Sequence, residues 1–187
     1  PRWPAPSEPV SGAAPPAATN QPFPPGTWGG APWSTWWLHV TGTLPASHVD
    51  EEIDRSMALG FVGAWAGNQA EAIVYTPAGR PLKALNPRNH RIGLNHGALA
   101  ARFAAQGEPL IGADGDVELW VEAAGNPDMT QHLAEPTELG DRHTAGHEPL
   151  WQFKAAELSG RRHEVWGVWL DCDVLDGLMR RRPAGAA

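Results

Sequence analysis

The stretch that decides the fold is Asp116-Val117-Glu118-Leu119-Trp120-Val121-Glu122-Ala123-Ala124. Its apolar and polar residues alternate, which puts Val117, Leu119, Val121 and Ala123 on one face. Such alternation is typical of an antiparallel strand with one face in the core and the other toward solvent. The same kind of signal recurs at short intervals on both sides of this stretch, so the sequence predicts an all-β fold, a β-sandwich.

The segments around this strand are rich in β-branched or aromatic residues and are bounded by turn residues. The turn Pro77-Ala78-Gly79-Arg80 predicts a hairpin between its two flanking segments. Residues 95–106 are ambiguous, but their alanines favour a short surface helix. The predicted strands are residues 35–42, 55–62, 69–76, 81–85, 90–94 and the alternating stretch 151–155.

The two ends of the chain differ from this body. Residues 1–32 hold much of the proline, which predicts an extended or disordered arm that Trp3, Phe23 and Trp28 could anchor. Residues 161–183 predict an amphipathic C-terminal α-helix that ends before Pro183. We therefore divide the chain into an arm (1–32), a β-sandwich domain (33–160) and this helix (161–183). The helix carries an apolar stripe of Val165, Trp169, Cys172, Leu175 and Met179.

Composition excludes several partners. Fourteen Lys and Arg against 21 Asp and Glu give a net charge of −7, so we expect no nucleic-acid partner. No apolar run approaches the roughly 20 residues that span a bilayer, so we expect no membrane association. Cys172 is the single cysteine, which rules out an intrachain disulfide and a Cys-based zinc cluster. It also fits a reducing, cytoplasmic location.

The sequence offers no convincing catalytic or metal-binding group. His143 and His147 lie four residues apart, but glycines and a proline around them indicate a solvated loop rather than a helical metal site. Glu71, Glu118 and Glu122 are candidate glycosidase carboxylates, yet Glu118 and Glu122 alternate opposite the apolar face and are expected to be solvated. No nucleophile turn, phosphate loop or dinucleotide fingerprint occurs. We therefore assign no catalytic residue, no metal ligand and no cofactor to this chain.

Two features suggest a contact surface. Trp36 and Trp37 are adjacent on a predicted strand and therefore point to opposite faces; one should be in the core, and the other needs a neighbouring domain or a ligand over it. The turn Asn86-Pro87-Arg88-Asn89 offers two amides and a guanidinium to sugar hydroxyls. Its amides serve equally well to cap local backbone or to meet a partner domain, which is the favoured interpretation. The candidate carbohydrate or interdomain contacts are Trp36, Trp37, Asn86, Arg88, Asn89 and Trp120.

Four blocks of the chain, in order, carry a family resemblance. The first two are Trp28-Gly29-Gly30-Ala31-Pro32-Trp33-Ser34-Thr35-Trp36-Trp37 with residues 40–45, and Gln69-Ala70-Glu71-Ala72-Ile73-Val74-Tyr75 with Asn86-Pro87-Arg88-Asn89. The last two are residues 117–127 and 139–179, the latter containing Pro149-Leu150-Trp151 and Val165-Trp166. Together they resemble the region that precedes the catalytic domain of glycoside hydrolase family 38 α-mannosidases, closest to the bacterial and cytosolic/vacuolar branch.

The resemblance implies a non-catalytic accessory domain that supports folding, assembly and the shape of the substrate cleft. Its implied partners are the parent enzyme's catalytic domain, a mannose-containing glycan and further copies in a homo-oligomer. The C-terminal helix is expected to lead into that catalytic domain, whose surface would cover Val165, Trp169 and Met179. The parent is expected to release mannose from α-mannosides with retention and to bind a divalent metal, usually zinc, through residues beyond this chain. Two alternatives remain open at this stage: a stand-alone carbohydrate-binding module and an oligomerisation or interaction domain.

Overall fold

The computed structural model describes the backbone of residues 2–4 and, in full, residues 21–48, 50–61, 70–126, 148–149 and 151–180, with the backbone of residue 181. The described chain consists mainly of antiparallel strands. The strands are β1 Arg2–Pro4, β2 Trp28–Gly29, β3 Thr35–Thr43, β4 Glu52–Ala58, β5 Ala70–Tyr75, β6 Pro81–Leu85, β7 Arg91–Gly93, β8 Asp116–Gly125, β9 Trp151–Gln152 and β10 Ala155–Arg161. The helices are α1 Gly97–Ala105 and α2 His163–Arg181, with a 3-10 turn at Ala46–His48.

Two sheets form the layers of the sandwich. The large sheet has the order β1-β3-β8-β5-β6, and the small sheet has the order β10-β4-β7. A short third pair joins β2 to β9. Strand β8 lies at the centre of the large sheet, paired with β3 from Thr35↔Ala124 to Thr43↔Asp116. The clear alternation of this strand is explained by its position, because β8 has a neighbour on each side and only its inner face meets the core.

The core lies between the inner faces of the two sheets. Strand β8 supplies Val117, Leu119, Val121 and Ala123, each at most 1% exposed. The residues that oppose them on the small sheet include Ile53, Met57 and Ile92, and α1 adds Phe103. An aromatic cluster closes one end of the core: Phe23 lies 5.8 Å from Trp36 and 5.4 Å from Phe153, and Trp36 lies 6.1 Å from Trp151. Burial of each such side chain stabilises the fold by roughly 1.5–3 kcal/mol.

The all-β sandwich with a C-terminal helix is confirmed, and most element positions follow the prediction. Strand β6 has the predicted limits, the predicted surface helix in 95–106 forms α1, and α2 ends ahead of Pro183. Strand β4 begins at Glu52, three residues earlier than predicted, because polar residues in its first half interrupt the apolar pattern. Parts of residues 1–32 join the sheets as β1 and β2, and the division of the chain at residues 32 and 160 stays a prediction.

The apolar stripe on α2 is not covered within the described chain, and its burial by a further domain stays a prediction. Cys172 is exposed, and so are Val165, Trp169, Leu175 and Met179, by 54–74%. The spacing of apolar residues correctly identified a helix. It could not tell whether the apolar side is covered within the same chain, because periodicity records which residues share a face and not what lies against that face.

Candidate functional site

Trp36 and Trp37 lie on opposite faces of β3, as predicted, and both are buried. Trp36 is 8% exposed and belongs to the core, where its indole Nε1 donates to the hydroxyl of Ser34 at 3.0 Å. Trp37 is on the outer face of the large sheet, is 4% exposed and has its ring 5.4 Å from Tyr75. Its Nε1 has no hydrogen-bond partner among the described residues. Trp36 therefore works as a core residue, and Trp37 as a covered residue of the outer face.

A polar and aromatic cluster lies on the outer face of the large sheet. His39 and Trp120 are direct cross-strand neighbours, and their rings stack at 4.3 Å with an angle of 15°. The Nε2 of His39 lies 2.7 Å from a carboxylate oxygen of Glu118, which is half exposed. We call His39, Glu118 and Trp120 the outer-face triad. The sequence interpretation missed His39, and the signal that could have found it is its pairing with Trp120 once β3 and β8 are set in register.

A second outer-face pair lies beside the triad. The hydroxyl of Tyr75 donates to Glu122 at 2.7 Å. Burial of the phenol, together with this hydrogen bond and the charge of Glu122, raises the pKa of Tyr75 to about 12. Glu118 and Glu122 lie on the outer face, as expected. Four residues along one strand separate them by about 14 Å, whereas a glycosidase pair needs about 5–10 Å. The two carboxylates therefore do not form such a pair.

The turn Asn86-Pro87-Arg88-Asn89 connects β6 to β7, and both of its Asn side chains bond to nearby backbone. The side-chain oxygen of Asn86 accepts from the backbone N–H of Arg88 at 3.0 Å. The side-chain amide of Asn89 donates to the carbonyl of Ala84 at 3.2 Å. Two further backbone bonds link Asn86 and Asn89. Both amides thus take the local capping role that the sequence left open, while Arg88 is exposed.

Beside this turn lies a cleft of about 1180 Å³ between the first half of α2 and the outer face of the small sheet. We call it the α2 cleft. Trp166 stacks on Trp169 at 5.1 Å, and the guanidinium groups of Arg91 and Arg161 lie 5.4 and 5.6 Å from the centre of the Trp166 ring. Lys83 enters the cleft from β6 and donates to the backbone carbonyl of Arg91. Burial lowers the pKa of Lys83, and the charge of Asp54 partly offsets this.

An ionic network fixes one wall of the α2 cleft. The Nε2 of His96 lies 2.9 Å from Asp54, and the Nδ1 of His96 lies 3.4 Å from Arg161. Arg161 also approaches Glu52 at 3.8 Å. The network joins β4, β10 and the residue before α1. It therefore holds Arg161 in position at the N-terminal end of α2.

The remaining sides of α2 carry exposed apolar residues. Val168, Val174, Leu175, Leu178 and Met179 are 58–74% exposed, and none of them lines the cleft. We call these five residues the α2 outer stripe. At 100° per residue they span a wide arc of the helix surface. An apolar helix side of this kind normally faces another element.

Within the described ranges, no group of three or more His, Cys, Asp or Glu side chains is arranged to hold a metal ion. The His143–His147 segment lies outside the described residues. No helix in the described part of the chain is both long and apolar enough to cross a membrane.

The two antiparallel layers, with polar and aromatic groups on their outer faces, define an all-β sandwich domain. The family model described as "Alpha-mannosidase, jelly roll domain" matches residues 2–159, and the chain belongs to that family. The predicted resemblance to the N-terminal region of α-mannosidases is thereby confirmed. No curated protein matches the chain with significance.

Proposed function

We propose that this domain is a non-catalytic N-terminal accessory domain of a glycoside hydrolase family 38 α-mannosidase, and that it packs against the catalytic domain through α2. The observation that carries the proposal is the exposure of the α2 outer stripe, whose five large apolar side chains are all more than half exposed. A contiguous apolar surface of this kind on a soluble domain marks an interaction site. The family match supplies the class of the parent enzyme.

The energy available from the stripe suits an interface between domains. Full burial of a Val, Leu or Met side chain yields about 1.5–3 kcal/mol, so covering the exposed part of five such side chains yields roughly 5–9 kcal/mol. This gain is of the same size as the cost of association, which is about 4–15 kcal/mol for separate molecules. A covalent link to the catalytic domain removes much of that cost because the second contact is intramolecular. The stripe is therefore sufficient for docking within one polypeptide.

In this proposal the chemistry belongs to the parent. The parent releases mannose from α-mannosides with retention and uses a divalent metal, zinc, bound by residues of its catalytic domain. This domain contributes no ligand to that metal. It shapes the substrate cleft and takes part in homo-oligomer assembly. A cytoplasmic location is consistent with a single exposed cysteine, Cys172.

The docking proposal is tested with a double variant, Leu175→Asp with Met179→Asp. Both residues lie on one side of α2, so docking would bury two unpaired carboxylates, each costing several kcal/mol. We expect the contact to weaken by about a hundredfold or more in the chain joined to its catalytic domain, measured as loss of amide protection along α2 in hydrogen exchange. Ile73→Asp is the matched control, since Ile73 is an exposed apolar residue on the large sheet. Equal protection of α2 in the double variant and in the wild-type joined protein would refute docking through α2.

A second function, carbohydrate binding, is favoured by the outer-face triad. A stacked indole and imidazole beside a carboxylate offer a sugar a flat apolar face and hydrogen-bond acceptors together. We expect mannose or mannobiose to shift the NMR signals of His39 and Trp120, and Glu118→Gln to reduce the shift. Leu175→Asp is the control here and should leave the titration unchanged. Absence of any shift, with self-association of the chain in sedimentation, would instead favour an oligomerisation domain.

A further inference from the structure

The α2 cleft is larger than a usual small-molecule site. Its volume of about 1180 Å³ exceeds the roughly 300–1,000 Å³ of typical ligand pockets. It is open along its length between a helix and a sheet. These dimensions fit a segment of polypeptide better than a single sugar.

The cleft is cationic although the chain is acidic. Its lining contains five basic residues and two acidic ones, a local excess of three positive charges; they are Lys83, Arg88, Arg91, Arg161 and Arg162 against Asp54 and Asp173. The whole chain has a net charge of −7. Asp54 is engaged by His96 at 2.9 Å, and Arg161 approaches Glu52 at 3.8 Å. The lining keeps an excess of positive charge, which favours an occupant that carries carboxylates.

Two of the arginines are placed beside an aromatic ring. Arg91 and Arg161 lie near the Trp166 ring, and Arg161 is further held by the ionic network. A guanidinium held beside an aromatic ring loses less freedom when it binds a carboxylate in bidentate fashion. The Trp166–Trp169 stack supplies apolar surface next to these donors. Acidic and apolar side chains are thus accommodated side by side.

We propose that the α2 cleft binds an acidic polypeptide segment with interspersed apolar residues, contributed by the same catalytic domain that covers the α2 outer stripe. The inference rests on the proposed docking of α2 and adds the chemistry of the contacting segment. Charge attraction in the cleft sets the orientation of the two domains, and the outer stripe supplies the apolar burial.

The test uses the 187-residue chain and two short synthetic peptides, one alternating Leu with Glu and the other alternating Leu with Gln. Calorimetry gives the affinities, and the indole N–H signals of Trp166 and Trp169 report where the peptide binds. We expect the Glu peptide to bind at least about tenfold more tightly than the Gln peptide. Raising salt from about 0.1 M to about 1 M shortens the Debye length from about 10 to about 3 Å and should remove that difference.

Variants locate the effect in the cleft. Arg162→Glu, at an exposed position, should weaken Glu-peptide binding several-fold, and Arg91→Glu combined with it by roughly tenfold or more. Arg102→Glu reverses an exposed charge on α1, outside the cleft, and should change the affinity by less than about twofold. Circular dichroism checks that each variant is folded.

Three results would overturn the proposal: equal affinity for the two peptides, an equal loss with Arg102→Glu, or indole shifts with mannose but with neither peptide. Such a failure is distinct from a failure of docking. If Leu175→Asp with Met179→Asp abolishes docking on the catalytic domain while the Glu peptide does not bind, the docking proposal is retained. Only the proposal of an acidic segment in the cleft is then refuted.

Discussion

Arg55 is a buried cation in the core of the sandwich, and its replacement by an apolar residue is predicted to stabilise the fold. Arg55 occupies the inward position of β4 between Ile53 and Met57 and is 5% exposed. One of its terminal nitrogens, Nη1, lies 3.6 Å from the position that a Cβ on Gly42 of the opposite sheet would occupy. Its Nε has no hydrogen-bond partner among the described residues, and burial lowers its pKa.

The size of the effect follows from the unpaired donor. A buried polar group without a partner costs about 1–3 kcal/mol, and replacing buried charges by apolar residues of similar volume is neutral or stabilising by about 1–4 kcal/mol. Arg55→Met retains a long flexible side chain that fills the same space. We therefore expect a gain of about 1–3 kcal/mol in the free energy of unfolding. This corresponds to an increase in melting temperature of roughly 2–4 °C per kcal/mol for a domain of this size.

The assay is equilibrium urea unfolding followed by tryptophan fluorescence, with Arg55→Lys as the control. Lysine keeps a charge in the same position, so this variant should not be more stable than the wild-type chain. The reasoning would be refuted if Arg55→Met unfolds at a lower urea concentration than the wild-type chain with an unchanged slope. That result would mean that the contacts of the Arg55 guanidinium stabilise the fold by more than the desolvation of its charge costs.

Three further predictions concern individual contacts. The pKa of Tyr75 is raised to about 12 in the folded chain, whereas a tyrosine in the unfolded chain ionises near 10. The stability that Tyr75 contributes is therefore fully present below pH 10 and is lost as the pH rises toward 12. In urea unfolding between pH 9 and 12, the free energy of unfolding should fall by about 1 kcal/mol less for Tyr75→Phe than for the wild-type chain; identical pH profiles would contradict this. Gly30→Ala should lower stability by at least about 2 kcal/mol, because Gly30 has φ +71° and a Cβ there would collide with the Trp151 ring; an unchanged melting curve would disprove that contact. Met57→Ala should cost about 2–5 kcal/mol in chemical unfolding, since Met57 is fully buried; a loss below about 1 kcal/mol would mean that the site collapses around the gap.

The sequence predicted the elements of the sandwich because their signals are local. The alternation in β8 and the turn before β6 depend on neighbouring residues only, and both elements occur as expected. The limits of β4 were predicted less well, since Asp54 and Arg55 interrupt its apolar pattern. Both residues are nevertheless buried, one in the ionic network and the other in the core.

The surfaces were harder to predict because they depend on pairing across the sheets and on elements far apart in sequence. The stack of His39 on Trp120 requires the register of β3 against β8. The α2 cleft joins β6, β7, β10 and α2, and no local pattern relates these segments. Because Trp36 and Trp37 are adjacent in a strand, the sequence predicted that they lie on opposite faces. It could not show that Trp37, on the outer face, is also buried.

The measurement that tests the central claim most directly is hydrogen exchange at the amides of α2, compared between the 187-residue chain and the same chain joined to the catalytic domain of the proposed parent enzyme. In the chain alone, a helix with its apolar side in water is only marginally stable, so its amides should exchange rapidly. In the joined protein, we predict strong protection from Val168 to Met179, with little change in β8. Equal exchange of α2 in both proteins would contradict the account.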